Sequence, residues 1–343
     1  MRRRSVLLAT AALAATAACG SREARKTADE LKFSTLGELR DAAKKEGSVV
    51  VYTQLTEPDV KRLSAGFENK YGIPVKSLRL GGTTAKTRFE SETQAGSPSA
   101  DVLVLSESRY FGTATRNGHI VPLERTQVLP LVPGFPKNML VEHDRTAVIQ
   151  VSRPGCVYNT ERVKKSELPR SWKALLDPRW KGKLTTVSPG NSLGNLLQLD
   201  LLRDTYGLGF LHQLRPQLGR LYSSMVPMHE AIASGEALLG FESVEFFVHA
   251  MATEGSPLGF LSMPPAYYPI VTPGVASAAP HPAAARLLTH YLLTPEGART
   301  IATGVGVFSP YDQDKIPSDF KVQTDGQVDA AQRRTKEITD ALT

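Results

Sequence analysis

Cysteine is nearly absent from this chain. Cys19 and Cys156 are the two in 343 residues, so a fold stapled by several disulfides is excluded. Histidine is sparse too: the seven are scattered, and none has the spacing of a metal-binding motif. The longest apolar run, Val6 to Ala18, has about 13 residues where a membrane-spanning helix needs about 20. Enzyme signatures are missing as well. There is no G-x-S-x-G elbow, P-loop, H-E-x-x-H, or G-x-G-x-x-G after a strand. "GVGVFSP" at 304–310 has glycines without the rest of a phosphate motif. No catalytic residue, cofactor or metal site is expected. Internal repeats and low-complexity tracts are also absent, apart from the Ala-rich start.

The chain opens "MRRRSVLLATAALAATAACGS". A basic stretch followed by an apolar run reads as a secretory signal over 1–18. "TAACGS" resembles a bacterial lipobox, with Thr16 where leucine is commonest, and makes Cys19 the lipid-modified first residue of the mature protein. "RRRSVL" resembles a twin-arginine export signal without its full consensus. The polar stretch 19–35 reads as a tether. With Cys19 lipidated, Cys156 has no partner, and its apolar surroundings in "GCVYN" suit a buried small residue. The net charge is +7, with Arg2, Arg3 and Arg4 inside the signal. The remaining basic residues form no stripe, which argues against nucleic acid and fits an acidic ligand.

Beyond the tether the hydrophobic period alternates. "SVVVYTQ", "IPVKSLRL" and "ADVLVLS" read as strands, the first continuously apolar as in a buried parallel sheet. "EPDVKRLSAGFENKYG" and "TAKTRFESETQAG" read as the helices between them. Strands alternating with helices predict α/β architecture with parallel pairing. The length exceeds one typical core, so two lobes are expected.

Several phrases occur in the order found in type 2 periplasmic solute-binding proteins of ABC importers. They include "FENKYGIPV", "ETQAGSPSADVLVLSES", "SWKALLDPRWKGKL" and "HPAAARLLTHYLLTPEGARTIA". The chain resembles the ferric-iron, polyamine and phosphonate-type group of that family over residues 35 to about 312. The resemblance implies two lobes, each a mixed sheet flanked by helices, joined by two extended crossovers near 147–153 and 258–274. Lobe 1 would hold 36–148 and 260–343 with a C-terminal helix, and lobe 2 would hold 149–259. It also implies a monomer that captures a small solute, partners an ABC permease and its ATPase, and sits lipid-anchored at the outer face of the cytoplasmic membrane or in the periplasm. A ligand sensor without transport is the rival reading.

Ligands of such folds bind outside the carboxyl ends of strands, at helix starts. Thr53 and Gln54 follow the first strand. "GGTT" follows the second, where Gly81 and Gly82 permit close backbone approach and Thr83 or Thr84 adds a hydroxyl to ligand or caps the helix. Ser106 and Glu107 follow the third. In lobe 2, Asn191 and Ser192 lie at a strand-to-helix junction, and Glu242 and Ser243 at the cleft edge. Arg153, beside the first crossover, is placed to reach a carboxylate or phosphate. An anionic or zwitterionic organic solute is expected. Ferric-binding relatives carry a tyrosine pair near Phe246 and Phe247, and phenylalanine has no oxygen for iron(III). The pair Tyr267–Tyr268 keeps iron open as an alternative, and Glu107, Glu242 and Glu245 keep a polyamine open.

Overall fold

The computed structural model describes residues 31–322 and 324–343. The signal segment, Cys19 and most of the tether lie outside the described residues. The fold starts at α1 (Leu36–Glu46), where the Thr35 hydroxyl accepts from the Glu38 N–H and Gly47 takes φ +80° to end the helix. Then follow β1 (Val49–Thr53), α2 (Glu57–Tyr71), β2 (Val75–Arg79), α3 (Gly82–Gln94), β3 (Val102–Leu105) and α4 (Ser108–Arg116). β1 is the parallel centre of this run, with Val51 opposite both Ser77 and Val102. Every residue of β3 is buried, as its continuous apolar run requires.

Short strands come next: β4 (Ile120–Val121), the hairpin β5 (Leu140–Val141) and β6 (Thr146–Ala147), and β7 (Gln150–Ser152). The chain then leaves the first sheet through Arg153. The second sheet is built from β8 (Pro154–Asn159), β9 (Leu184–Val187), α5 (Leu193–Tyr206), α6 (Leu208–Leu214), β10 (Leu218–Tyr222), α7 (Met225–Ser234), β11 (Leu239–Val244), α8 (Glu245–Thr253) and β12 (Leu258–Leu261). Its strand order is β10-β9-β11-β8-β12, parallel on the β9 side and antiparallel around β8.

The chain returns through β13 (Ile270–Ala276), α9 (Pro282–Leu293), α10 (Pro295–Ile301) and β14 (Val307–Phe308). The first sheet then runs β14-β7-β13-β3-β1-β2, with β4 also on β13. Both sheets are mixed and carry helices, and each has its own core. Phe67, Phe89, Leu103 and Tyr291 belong to the first, and Trp172, Leu199, Leu211 and Phe241 to the second.

The end of the chain departs from expectation. The resemblance assigns 260–343 to lobe 1, but α11 (Asp325–Arg333) and α12 (Thr335–Leu342) pack on lobe 2. Val328, Ala331, Ile338 and Leu342 join the core containing Leu196 and Leu211. Arg334 forks onto Asp200 of α5, Nε to Oδ1 at 2.7 Å and Nη2 to Oδ2 at 2.6 Å, the planar two-bond match that fixes both position and direction. The correction follows from the apolar faces of α11 and α12, which are buried against α5 and α6.

Candidate functional site

A cavity of about 490 Å³ opens between the two sheets, within the range of sites for small organic ligands. From the first lobe Gln54, Arg79, Ser106 and Glu107 line it, joined by Gln150 and Ser152 of the crossover strand. From the second lobe come Asn191, Ser192, Glu242 and Ser243, with an apolar wall of Trp172, Met225, Phe246 and Phe247. α4, α5 and α8 begin at this cavity, so the positive ends of their helix dipoles lie at its edge.

Thr53 belongs to the support of the site. It is 1% exposed, and its Oγ1 donates to the Val104 carbonyl at 3.0 Å and accepts from the Leu55 N–H at 3.1 Å. These bonds lock the turn that delivers Gln54. Gly82 does not line the cavity either, yet it shapes it. A Cβ there would fall 2.6 Å from Gln54 Oε1 and 3.2 Å from Glu107 Oε1. Thr83 and Thr84 are exposed and outside the lining. Neither caps α3, whose N-cap is Gly81 without a side-chain bond. The helix begins two residues earlier than a Thr83-capped start would, which leaves both threonines exposed on its first turn.

Arg153 also stands apart from the cavity lining. Its Nη1 donates to Glu245 Oε2 at 2.7 Å and its guanidinium lies 5.0 Å from the Phe308 ring centroid, so its charge is already matched. The cleft cation is instead Arg79, at the end of β2, held by a bond from Nε to the Leu55 carbonyl at 2.9 Å. Among the described residues no carboxylate lies at ion-pair distance from it; Glu57, which feels its charge, is paired with Lys61. Nothing in the sequence distinguishes it from 40 other basic residues, because its value comes from register at a strand end.

The other charged lining groups are neutralised. Glu107 pairs with Lys86, and Asp59 with Arg62. Glu242 is pushed up to about 8 by burial, which outweighs the bonds from Ser192 and the Asn195 N–H. The neighbouring Ser243 Oγ lies 2.9 Å from His229 Nε2. Burial pushes that imidazole down to about 4, and its ring sits 5.1 Å from Phe247. Two cavity-lining oxygens, Gln150 Oε1 and Glu242 Oε2, are buried without a partner. Buried polar atoms left this way are rare, and both belong to residues that line the cavity.

The tyrosine pair separates. Tyr267 lines the cavity, its phenol pushed up to about 12 by burial. Tyr268 turns away and donates to Asp319 Oδ1 at 2.6 Å. Among the described residues no group of three or more His, Cys, Asp or Glu side chains is placed to hold a metal.

The two-lobed frame with its cleft of helix starts is the form of a periplasmic-type binding protein. The model of the bacterial extracellular solute-binding protein family matches residues 97–328, and the chain belongs to that family. It is 23% identical over 317 residues to the Fe(3+)-binding periplasmic protein of Serratia marcescens, covering 88% of this chain and 91% of that one. It is 27% identical over 229 residues to an uncharacterized protein of Haemophilus influenzae, covering 63% of this chain and 64%, just under two thirds, of that protein's length. Iron-bound HitA from Pseudomonas aeruginosa superposes with a TM-score of 0.68 at 20% identity, over 85% of this chain and 99% of that one. AfuA from Actinobacillus pleuropneumoniae, with fructose 6-phosphate bound, superposes with a TM-score of 0.66 at 19% identity, over 86% and 98%. At these identities the likeness establishes the fold, the type 2 two-lobed one. The family is one of exported binding proteins rather than enzymes.

Proposed function

We propose that the protein captures a small anionic or zwitterionic organic solute between its lobes and passes it to an ABC permease and its ATPase. The observation that carries this reading is the charge balance of the cleft. Arg79 is a lining cation with no carboxylate at ion-pair distance among the described residues, while every lining carboxyl group is paired or neutral. Helix N-termini add partial positive charge from both lobes. The wall of Trp172, Met225, Phe246 and Phe247 favours a solute with a carbon body. Closure of the lobes about the crossover strands buries the solute and completes bonds from both sides. No covalent step is needed. A polyamine would meet no free carboxylate here. Iron, which the names of two of these relatives mention, would as iron(III) meet phenylalanines at 246 and 247. Cys19 would hold the monomer to the membrane by its lipid.

A thermal-shift panel tests the reading: fructose 6-phosphate, phenylphosphonate, citrate, spermidine and iron(III) without an organic chelator. Ligand at a hundredfold excess over Kd stabilises the native state by about 2.7 kcal/mol. At least one organic anion is expected to raise Tm. Stabilisation by spermidine alone or by iron(III) alone overturns the assignment. For the anchor, Cys19→Ala is expected to move the protein from the membrane fraction to the soluble one.

A further inference from the structure

Glu242 is set into the cleft in a way its neighbours are not. Its backbone takes φ +72°, an uncommon conformation for a residue with a Cβ that is found most often where function holds it. The pairing of β11 with β8 slips between Phe241 and Ser243, the kind of irregularity that re-aims a side chain. Oε1 accepts the Ser192 hydroxyl, and the same Ser192 oxygen accepts from the Asn195 N–H at 3.2 Å to cap α5. Oε2 is buried without a partner, on a residue that lines the cavity.

The groups around it leave its charge unmatched. On α7, His229 is held neutral by burial and bonded to Ser243. On α8, Glu245 is paired with Arg153. From β8 comes the buried thiol of Cys156, opposite Phe241, and from the stretch before β13 the phenol of Tyr267. α5 offers Ser192 and the Asn195 N–H. Across the cleft stand the Glu107–Lys86 pair and Arg79. Burial therefore dominates, and Glu242 keeps its proton at neutral pH. Because Oε1 accepts the Ser192 hydroxyl and Oε2 has no partner, the hydrogen belongs on Oε2, on a side chain that lines the cavity.

We propose that Glu242 contacts the solute as a neutral carboxylic acid, its Oε2–H donating to an oxygen of the anionic group that Arg79 holds from the other lobe. This rests on the anion reading of the cleft. No bond is broken and the proton stays on Glu242. Solute capture is thereby linked to one proton. Once Glu242 ionises, two anions face each other and affinity falls, while a cationic solute would gain.

The test uses fructose 6-phosphate, whose second phosphate ionisation lies near pH 6, so its charge is nearly constant from pH 7 to 9. Carboxyl ¹³C NMR of the wild-type apo protein is expected to show a neutral Glu242 at pH 7. By calorimetry the wild-type affinity should fall about tenfold from pH 7 to pH 9, the ratio set by a group titrating near 8. Glu242→Gln supplies an N–H donor at every pH and should bind within about threefold of wild type at pH 7 with a flat profile. A Glu242 resonance already ionised at pH 6, or the same pH profile in Glu242→Gln, overturns the proposal while leaving the anion reading standing. A neutral Glu242 in a protein that binds none of the three organic anions overturns the anion reading, and the donor role falls with it.

Discussion

Arg153 Nη1 lies 2.7 Å from Glu245 Oε2, so a residue of the crossover is tied to the first turn of α8. The Arg153 N–H also donates to the Gly306 carbonyl at 2.7 Å, and the Glu245 N–H to the Arg153 carbonyl at 3.0 Å. The three bonds join the first sheet's edge to the second lobe at the point where the chain passes between them. Arg153→Met removes the ion pair and leaves the backbone bonds. About a third of the arginine side chain is exposed, which lowers the value of the pair to about 1 kcal/mol. Denaturant unfolding should register that loss, and the affinity for an organic anion should stay within about threefold.

Arg79 behaves in the opposite way. It is exposed and its side chain bonds to a backbone carbonyl, so Arg79→Ala should leave Tm within a degree or two. A charge-assisted hydrogen bond to an anion contributes about 1.5 to 3 kcal/mol, which corresponds to roughly a 10- to 100-fold loss of affinity. Calorimetry with the anion that scores in the panel measures it. Unchanged affinity would remove Arg79 from the solute's contacts.

Much of this arrangement is legible in the sequence, and its gaps have physical causes. Strand and helix periods show where β1 and β3 end, which places Gln54, Ser106 and Glu107, and the junctions in the second lobe place Asn191, Ser192, Glu242 and Ser243 at the same cleft. Such positions follow from topology alone. Arg79, Gln150 and Trp172 are not legible in this way. Arg79 matters because no carboxylate among the described residues lies at ion-pair distance from it, Gln150 because an acceptor is left over, and Trp172 because its indole is anchored to the Met263 and Pro265 carbonyls at 3.0 Å. Each depends on neighbours far away in the chain. The lobe joined by α11 and α12 is hidden for the same reason, since an amphipathic helix announces that it packs but not against what.

Gly82 separates support of the site from contact with the solute. In Gly82→Ala the new methyl meets Gln54 Oε1 at 2.6 Å, the far end of a flexible side chain that can move aside. Stability should change by less than about 1 kcal/mol, because alanine also suits the first turn of a helix. Affinity should fall several-fold as Gln54 leaves its place. Thr83→Ala and Thr84→Ala, exposed and without capping bonds, should alter neither stability beyond about 0.5 kcal/mol nor binding. A loss of affinity in either threonine variant would return that turn to the solute's direct contacts.

Glu242 and His229 give stability opposite slopes with pH. Glu242 rises from 4.5 in the unfolded chain to about 8 when folded. Its proton is therefore retained only by the native state between those values, and stability present below pH 4.5 is lost as pH climbs through 8. His229 falls from 6.5 to about 4. Its unfolded form takes up a proton first, so stability present above pH 6.5 is lost as pH drops through 4. Each shift corresponds to a few kcal/mol, on the order of 3 to 5. In Tm measured across pH 4 to 9, Glu242→Gln should gain on wild type steadily from pH 5 to 8.5. His229→Gln, whatever its starting Tm, should gain on wild type as pH falls from 6.5 to 4. The slopes isolate titration from packing, because a change in packing alone shifts Tm equally at every pH. Parallel curves for wild type and Glu242→Gln would mean that Glu242 is ionised in the folded protein.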